Sequence, residues 1–402
     1  MFLRQLPADH RDAFRAMVDY AFRPTEGPDW QEQDRPLPDL FTRFGYYDAP
    51  PDEEPDPDDL RTVCGSYDFT VRIRGDWHAA GGVSAVASPP EGRRQGAVSA
   101  MLDALLEYYR EEGTAFSVLW PFEYEFYRRL GWATCTNYAE ASIPPEQLAD
   151  SAPQPAGTFR TLDPDEDLAA IREVHETWAT EALAVRRTDG WWRERTFRGW
   201  ETDPYVYGWF DDEETLRGYL IYTISEGDDG RDMRVWERAF TDHEARAHLL
   251  RFCRNHDSQV ETVTFTTLPE WSRPIEALPD PRAATLEIKT GPMARIVDVE
   301  AALTALSYDV RESVVLAVSD ERCAWNDDTF ELRVDAAGAR VNRVETTPDA
   351  ELDVGALSQL AVGAREAAEL ERTGDLTVSD ATVRATLADL FPDERTYLRE
   401  GF

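Results

Sequence analysis

This sequence of 402 residues contains little lysine and far fewer basic than acidic residues. Lys289 is the only lysine, so arginine supplies 41 of the 42 basic residues, and 78 acidic residues leave a formal net charge of −36. A nucleic-acid partner needs a basic surface that neutralises phosphates, and so does docking onto an anionic membrane surface. The sequence therefore predicts no nucleic-acid partner and no membrane partner.

The acidic excess without lysine has two interpretations. We prefer a protein adapted to a high-salt cytoplasm, where surface carboxylates hold water and cations and the Debye length falls to about 3 Å at molar salt. The second interpretation is an acidic surface that attracts a cationic substrate. The two interpretations are compatible with each other.

Metal-binding motifs, paired cysteines and long apolar runs are also missing. The four cysteines include no CxxC pair, and the six histidines form no HxH or HExxH pattern. A disulfide framework, a zinc knuckle and a metal centre are therefore not expected. No apolar run approaches the roughly 18 residues of a membrane span, and residues 1–10 contain no apolar signal core. We expect a cytoplasmic protein without a metal ion.

The order strand, strand, helix, strand occurs twice along the chain, and the apolar residues of both helices recur at spacings of three and four. This repetition predicts a duplicated α/β unit with a break in the proline-rich residues 142–157. The first copy has two strands within residues 66–88, a helix after Gly96 and a strand over 115–120. The second copy has strands over 216–225 and 233–240, a helix over 242–256 and a strand over 260–268.

A third unit of different character follows residue 290. Short alternating segments predict strands of a meander, and longer apolar-periodic segments predict helices, which together indicate an α+β unit. At about 100–200 residues per domain, the chain has room for all three units. The segments are strands over 314–319, 329–335 and 340–344, and helices over 354–370 and 380–390.

The strongest site signal is the loop between the second strand and the helix of the first copy, Arg93-Arg94-Gln95-Gly96-Ala97-Val98. A helix N-terminus offers free N–H groups and partial positive charge to phosphate oxygens. Glycine permits close backbone approach, and arginine adds charge-assisted hydrogen bonds. The loop thus predicts a phosphate site, and an exposed turn with surface arginines is the alternative. The corresponding turn of the second copy, Thr241-Asp242, has no glycine.

This loop resembles the acyl-CoA loop of GNAT acetyltransferases, (Arg/Gln)-x-x-Gly-x-(Gly/Ala), with Val98 in place of the last small residue. The fuller resemblance is to the enhanced-intracellular-survival (Eis) family of GNAT enzymes, and it extends through all three units. It rests on residues 80–96 (AGGVSAVASPPEGRRQG), 127–133 (YRRLGWA), 249–256 (LLRFCRNH), 291–303 (GPMARIVDVEAAL) and Phe402.

The resemblance implies a fold of mixed α/β and α+β class, with tandem GNAT domains followed by a domain like sterol carrier protein. The first GNAT domain would span residues 1–150 and bind acetyl-CoA. A degenerate second GNAT domain, which we expect not to bind acyl-CoA, would span 151–290. The third domain would span 291–402 and carry the C-terminal carboxylate.

The resemblance also implies how the co-substrate acetyl-CoA is held. The backbone of Val86, Ala87 and Ser88 would pair with the pantetheine arm like an added strand. A further pair of contacts falls at Phe122 and Glu123, where the family has Ser-Glu and only the glutamate is retained. The pyrophosphate would be held by Arg93, Arg94, Gln95, Gly96, Ala97 and Val98.

Tyr127 matches the general acid of the family, which gives a proton to the leaving CoA thiolate. Phe122, Phe126 and Leu130 share a spacing of four, and we expect Tyr127 to lie off the apolar face that they form. One alternative is that Tyr127 is a core aromatic residue. The other is that Tyr124 serves as the acid.

The α-carboxylate of Phe402 matches the base of the family, which removes a proton from the attacking ammonium. The alternative is a terminal phenylalanine that is only packed. The resemblance implies direct attack by a primary amine of an aminoglycoside, polyamine or lysine in a ternary complex, and a homo-oligomer, namely a hexamer. Acceptor loops around residues 22–35 do not match well enough to assign contacts. A non-catalytic sensor or carrier of acyl-CoA or lipid is the other functional hypothesis.

Overall fold

The computed structural model describes residues 1–27, 36–50, 52–148, 156–199, 202–227, 230–272 and 274–402. The predicted proline-rich break and the expected acceptor loop fall partly outside these ranges. The chain forms two compact units. One comprises Met1–Thr136, Ala182–Arg186 and Gly291–Phe402, and the other comprises Asn137–Glu181 and Arg187–Thr290.

The first 136 residues build most of one mixed sheet. Strands β1 to β4 are antiparallel neighbours, and β5 runs parallel to β4, so α2 forms the crossover between them. Arg74 and Gly75 both have positive φ and close the β3–β4 hairpin tightly. The elements are β1 (Phe2–Gln5), α1 (Arg11–Phe22), β2 (Phe41–Tyr47), β3 (Leu60–Ile73), β4 (Asp76–Ala87), α2 (Ala97–Glu111), β5 (Phe116–Leu119), α3 (Tyr124–Arg128) and β6 (Ala133–Thr134).

Helix α2 supplies much of the core of this part. Its apolar residues recur every three or four positions, which turns one face of the helix toward the interior. The helix ends before Gly113, whose φ of +73° is a conformation that favours glycine. The helix predicted after Gly96 is therefore confirmed. The buried residues of this face are Met101, Leu102, Leu105, Leu106 and Tyr109.

The second unit repeats the strand, strand, helix, strand order. Its sheet has the order β13-β7-β12-β11-β10-β9-β8, and β11 and β12 are parallel, as β4 and β5 are in the first sheet. The predicted duplication is thus confirmed. The elements are β7 (Asn137–Ile143), β8 (Thr158–Thr161), α4 (Leu168–Trp178), α5 (Asp189–Trp191) with a π-helical turn (Trp192–Thr196), β9 (Tyr205–Phe210), β10 (Leu216–Gly227), β11 (Gly230–Phe240), α6 (His243–Arg254), β12 (Thr262–Pro269) and β13 (Thr285–Thr290).

The last part of the chain completes the first sheet and builds another. Strand β14 enters the first sheet between β5 and β6, and the remaining strands form a sheet of order β17-β16-β15-β18-β19. The predicted meander is confirmed as β15 to β17, while β18 and β19 were not predicted. The elements are β14 (Met293–Ile296), α7 (Val299–Ala305), β15 (Ser313–Ser319), β16 (Asp328–Asp335), β17 (Gly338–Arg343), β18 (Ala350–Asp353), α8 (Val354–Ala361), α9 (Ala367–Thr373), β19 (Leu376–Val378) and α10 (Ala381–Leu390).

The prediction of one helix over residues 354–370 is wrong. Two helices, α8 and α9, occupy this stretch, and Gly363 with a φ of +77° separates them. The N–H of Gly363 donates to the carbonyl of Leu360, and the N–H of Ala364 donates to the carbonyl of Gln359. These two bonds form a Schellman motif, which ends a helix at a left-handed glycine.

A buried ion pair joins β14 to the residue that follows β15. The guanidinium of Arg295 lies 2.7 Å from the carboxylate of Asp320, and both side chains are almost fully buried. Arg295 has room because Gly131 lacks a side chain, since a Cβ there would overlap the guanidinium. The arginine within GPMARIVDVEAAL, the most specific of the motifs, thus has a structural role.

Candidate active site

Strands β4 and β5 separate within the first sheet. Their parallel pairing ends where Val83 lies opposite Leu119. Two residues later Ala85 has a φ of +48°, and the register of β4 with β3 shifts close by, which marks a β-bulge. Among the described residues, no strand pairs with the β5 side of β4 beyond Val83. Residues 86–88, predicted to contact pantetheine, therefore have an open edge where an extended ligand can add like a strand.

The N-terminus of α2 follows this open edge and has no side-chain cap. Gly96 precedes the helix with a φ of +84°, and the first turn contains no acidic residue. The first N–H groups of the helix therefore keep their partial positive charge. Arg93, Arg94 and Gln95 are exposed beside them. The bare terminus contrasts with helices that an aspartate caps, at Asp242, Asp298, Asp353 and Asp380.

Within the described part of the chain, side chains of this loop contact Tyr20 and the backbone of Glu91. The guanidinium of Arg93 lies 5.4 Å from the ring centre of Tyr20, and the Gln95 amide donates to the carbonyl of Glu91 at 2.9 Å. Val98 packs against the core cluster beneath α2. The bulk of Val98, which replaces the small residue of the acyl-CoA motif, is therefore accommodated by the protein interior.

Phe122 and Glu123 lie immediately before α3. The ring of Phe122 is 67% exposed, whereas an aromatic side chain of this size is usually buried. Glu123 is exposed and caps α3, because its carboxylate accepts the N–H of Phe126 at 3.1 Å. Both predicted cofactor contacts are thus open to solvent, although one carboxylate oxygen of Glu123 already has a donor.

Tyr127 points into the protein rather than away from the apolar face. Its side chain is 2% exposed, and its ring makes edge contacts with Phe126 at 5.1 Å and Trp132 at 6.2 Å between centroids. The prediction that Tyr127 lies off the apolar face is therefore wrong. The short helix α3 turns Tyr127 inward and leaves Phe122 outside. A core aromatic residue and a catalytic residue are not exclusive alternatives at this position.

The surroundings of Tyr127 keep its phenol protonated. It belongs to the same hydrophobic cluster as Val83, Val86 and Leu119, which lie on the two separating strands. Burial raises the pKa of Tyr127 above its ordinary value of 10, and the nearby Cys64 thiol adds a smaller effect in the same direction. The phenol can therefore donate a hydrogen bond to a developing anion throughout the neutral range.

The C-terminal residues also lie at the point where β4 and β5 separate. The ring of Phe402 makes an edge contact with Phe69 at 4.8 Å between centroids. It also lies close to Gly82, where an added Cβ would approach the Phe402 ring to 3.2 Å. The indole N–H of Trp120 donates to the carbonyl of Glu400 at 2.6 Å. Gly82 and Trp120 are each one residue from the last β4–β5 pair. The C-terminal residues therefore pack at the point where these two strands separate.

Family comparisons match most of the chain. The acetyltransferase (GNAT) domain matches residues 3–135 and again 183–296, and the sterol carrier protein domain matches residues 299–399. An uncharacterized N-acetyltransferase of Streptomyces avermitilis is 28% identical over 75% of this chain and 77% of its own length. The N-acetyltransferase Eis of Mycobacterium tuberculosis is 26% identical over 78% of each chain. The chain belongs to the GNAT acetyltransferases and is similar to Eis.

Solved structures establish the Eis-like fold independently. A probable N-acyltransferase from Enterococcus faecalis superposes with a TM-score of 0.87 at 23% identity, covering 100% of this chain and 99% of the other. Eis1 from Mycobacterium abscessus superposes with a TM-score of 0.76 at 22% identity, with the same coverage. These structures confirm the predicted fold class, tandem GNAT domains and a sterol-carrier-protein domain. The prediction of an acyltransferase is confirmed by the family matches and the related N-acetyltransferases.

The second GNAT domain differs at the helix N-terminus that corresponds to the acyl-CoA loop. Asp242 caps α6, since its carboxylate accepts the N–H of Ala245 at 2.9 Å, and it also accepts a hydrogen bond from Arg217. In the second domain a carboxylate therefore occupies the position that corresponds to the phosphate position of the first domain. This negative charge would repel a pyrophosphate, which disfavours pyrophosphate binding by the second domain.

The GNAT fold implies acetyl-CoA as the co-substrate, and the bare helix terminus with its two arginines fits the charge of a pyrophosphate. Within the described ranges, no three His, Cys, Asp or Glu side chains are grouped so that they could hold a metal ion. Nor does any helix of those ranges combine the length and the apolarity needed to cross a membrane.

Gly82 and Trp120 are site residues that the sequence analysis missed. A Cβ at Gly82 would overlap the Phe69 ring and lie close to the Phe402 ring, so glycine makes room for both rings. The pair Gly81-Gly82 inside a strand is a signal of such close approach. Trp120 had no comparable signal, because its partner Glu400 is 280 residues away in sequence.

Proposed function

We propose that the enzyme transfers the acetyl group of acetyl-CoA to a primary amine by direct attack in a ternary complex. The observation that supports this proposal is the open edge of β4 next to the bare N-terminus of α2. Residues 86–88 offer backbone groups to the amide groups of pantetheine. Arg93, Arg94 and the first N–H groups of α2 offer positive charge to the pyrophosphate.

The proposed contacts follow the loop outward from β4. Gln95, Gly96, Ala97 and Val98 contribute mainly through their backbone, because the first turn of a helix has unpaired N–H groups. Phe122 and Glu123, which lie between β5 and α3 in the sequence, remain proposed cofactor contacts. We further propose the domain limits 1–150, 151–290 and 291–402, with acyl-CoA bound by the first domain and the second acting as a scaffold.

In the proposed chemistry the ammonium first loses a proton toward the carboxylate of Phe402, and the neutral amine attacks the thioester carbonyl. The C–N bond forms, the C–S bond breaks, and the excess proton on the new amide nitrogen is lost. Tyr127 donates a hydrogen bond and a proton to the leaving sulfur. A thiol, with a pKa near 8.5, is a stronger acid than the phenol of Tyr127. The phenol therefore acts chiefly while negative charge develops on the sulfur, and it regains its proton from the new amide nitrogen.

Release of the CoA thiol tests this function. Acetyl-CoA would be offered in molar KCl with aminoglycosides, polyamines and lysine peptides, one class at a time, while mass spectrometry identifies the acetylated product. Release with a primary amine is the expected result. CoA binding without release for any amine would reject the enzyme reaction and favour a non-catalytic acyl-CoA sensor or carrier.

Replacing Gly96 by Asp should weaken CoA binding about tenfold or more, because the new carboxylate faces the pyrophosphate. Asn is the matched control, since Asn and Asp both tolerate positive φ and only Asp adds charge. A Cβ at Gly96 meets no atom within 4 Å, so neither variant is crowded. Calorimetric titration with CoA measures the difference. Equal affinity of G96D and G96N would contradict a phosphate site at this helix.

We also propose that the protein is cytoplasmic and adapted to high salt. By family resemblance, we propose that it assembles into a homo-oligomer, namely a hexamer. Raising KCl from about 0.1 M to about 1 M shortens the Debye length from about 10 Å to about 3 Å and weakens repulsion among the excess carboxylates. The thermal midpoint should rise by several degrees, as scanning calorimetry would show. A midpoint that KCl leaves unchanged, or that sucrose raises equally, would contradict salt adaptation. Light scattering would give the oligomer size.

A further inference from the structure

The C-terminal segment, residues 395–402, is attached to the two residues that follow β6 by hydrogen bonds of two threonine hydroxyls. The hydroxyl of Thr136 donates to the carbonyl of Thr396 at 2.8 Å. The hydroxyl of Thr396 donates to the carbonyl of Cys135 at 2.5 Å. Both threonines are buried, so water competes little for these bonds. This end of the segment is therefore held in one place.

A short strap, residues 182–186, attaches the same segment to β3. The N–H of Ala182 donates to the carbonyl of Arg395 at 3.0 Å, and the N–H of Tyr397 donates to the carbonyl of Ala182 at 2.8 Å. The N–H of Arg72, in β3, donates to the carbonyl of Ala184 at 2.9 Å. The segment thus extends the first sheet through the strap.

Trp120 fixes the segment close to its end. Its indole N–H bond to the carbonyl of Glu400 leaves two residues beyond the fixed point. Two extended residues span at most about 7 Å, so the carboxylate of Phe402 can move only within a small region. Trp120 itself directly follows Leu119, the last β5 residue paired with β4. The point of attachment therefore lies directly after β5, where this strand separates from β4.

We propose that Trp120 and Thr136 are positioning residues for acetyl transfer, which hold the carboxylate of Phe402 where it meets the acceptor ammonium. This proposal rests on the proposed function. A misplacement of about 1 Å can reduce a rate substantially even when the catalytic group itself is intact. Neither side chain is assigned a contact with acetyl-CoA, so their effect should appear in the use of the amine and not in the binding of the cofactor.

Trp120→Phe keeps an aromatic ring and removes the N–H donor. We expect kcat/KM for the amine near neutral pH to fall about tenfold to 100-fold, with an unchanged Kd for CoA. Trp325→Phe is the matched control, because the Trp325 indole N–H donates to the carbonyl of Val297 at 2.8 Å, away from the terminal segment. Thr136→Val should act like Trp120→Phe and gives a second test if W120F folds poorly.

The pH profile separates positioning from a general loss of stability. With the base misplaced, the rate depends on the ionisation of the amine itself, so the deficit should shrink as pH rises toward the amine pKa of about 10. An equal deficit at every pH would overturn the proposal. The proposal would also be overturned if W120F were as active as the control W325F. In the double variant that also lacks Phe402, Trp120→Phe should cause no further loss, and an additive loss would place its action elsewhere.

These outcomes are distinguishable from failure of the proposed function. If deletion of Phe402 impairs the enzyme and neither W120F nor T136V does, the base assignment stands and the positioning proposal is wrong. If deletion of Phe402 leaves activity intact, the base assignment and the positioning proposal both fail. If the unaltered enzyme acetylates no amine, the proposed function itself fails.

Discussion

Tyr127→Phe should reduce kcat by about 100-fold or more, because general acid catalysis typically contributes a factor of this size. The Kd for CoA should stay near that of the unaltered enzyme, since the variant keeps the ring that packs against Phe126 and Trp132. Single-turnover thiol release measures the first quantity and calorimetric titration the second. A general loss of folding is not expected, because only one buried hydroxyl is removed.

Tyr124→Phe is the matched control for this prediction. Tyr124 is the second tyrosine of α3 and is 38% exposed, so it offers a phenol of the same kind outside the core. If Y124F loses activity and Y127F does not, the acid is Tyr124 and the assignment of Tyr127 is wrong.

Burial raises the pKa of Tyr127 above 10, so the acid stays protonated, and kcat should show no loss from this group up to about pH 10.

Features that are local in sequence were predicted well. The face of α2 follows from residues three or four apart, and the bare N-terminus follows from Gly96 and a first turn without acidic residues. The duplicated order of strands and helices also depends only on local periodicity. Even here one local signal was missed, since Gly363 ends α8 in a stretch that otherwise favours a helix.

Features that depend on distant residues could not be predicted in this way. The orientation of Tyr127 is decided by the core that surrounds a five-residue helix, which is too short for periodicity to define a face. The position of β14 also depends on distant residues, because this strand enters a sheet formed mainly by the first 136 residues. Hydrogen bonds such as that from Trp120 to Glu400 join sequence positions that no local pattern relates.

Moving the carboxylate of Phe402 should reduce kcat/KM for the amine about 100-fold near neutral pH, since the acceptor loses both its counter-ion and its proton relay. Two variants separate the ring from the carboxylate. One extra glycine after Phe402 keeps the ring beside Phe69 and displaces the carboxylate by about 3.5 Å. Phe402→Leu keeps the carboxylate in place with a smaller apolar side chain. The glycine extension should show the large loss, and F402L should lose less than about tenfold.

The pH dependence of these variants tests the role of the carboxylate more directly than the rate at one pH. An ionised carboxylate can attract an ammonium up to the pKa of the amine, so the unaltered enzyme should show a plateau from mildly acidic pH up to that pKa. In the extended variant only the neutral amine reacts, and log kcat/KM should rise with pH at a slope near one. Parallel profiles for the two proteins would instead mean that Phe402 only packs the terminus, and that the acceptor loses its proton to water or to another group.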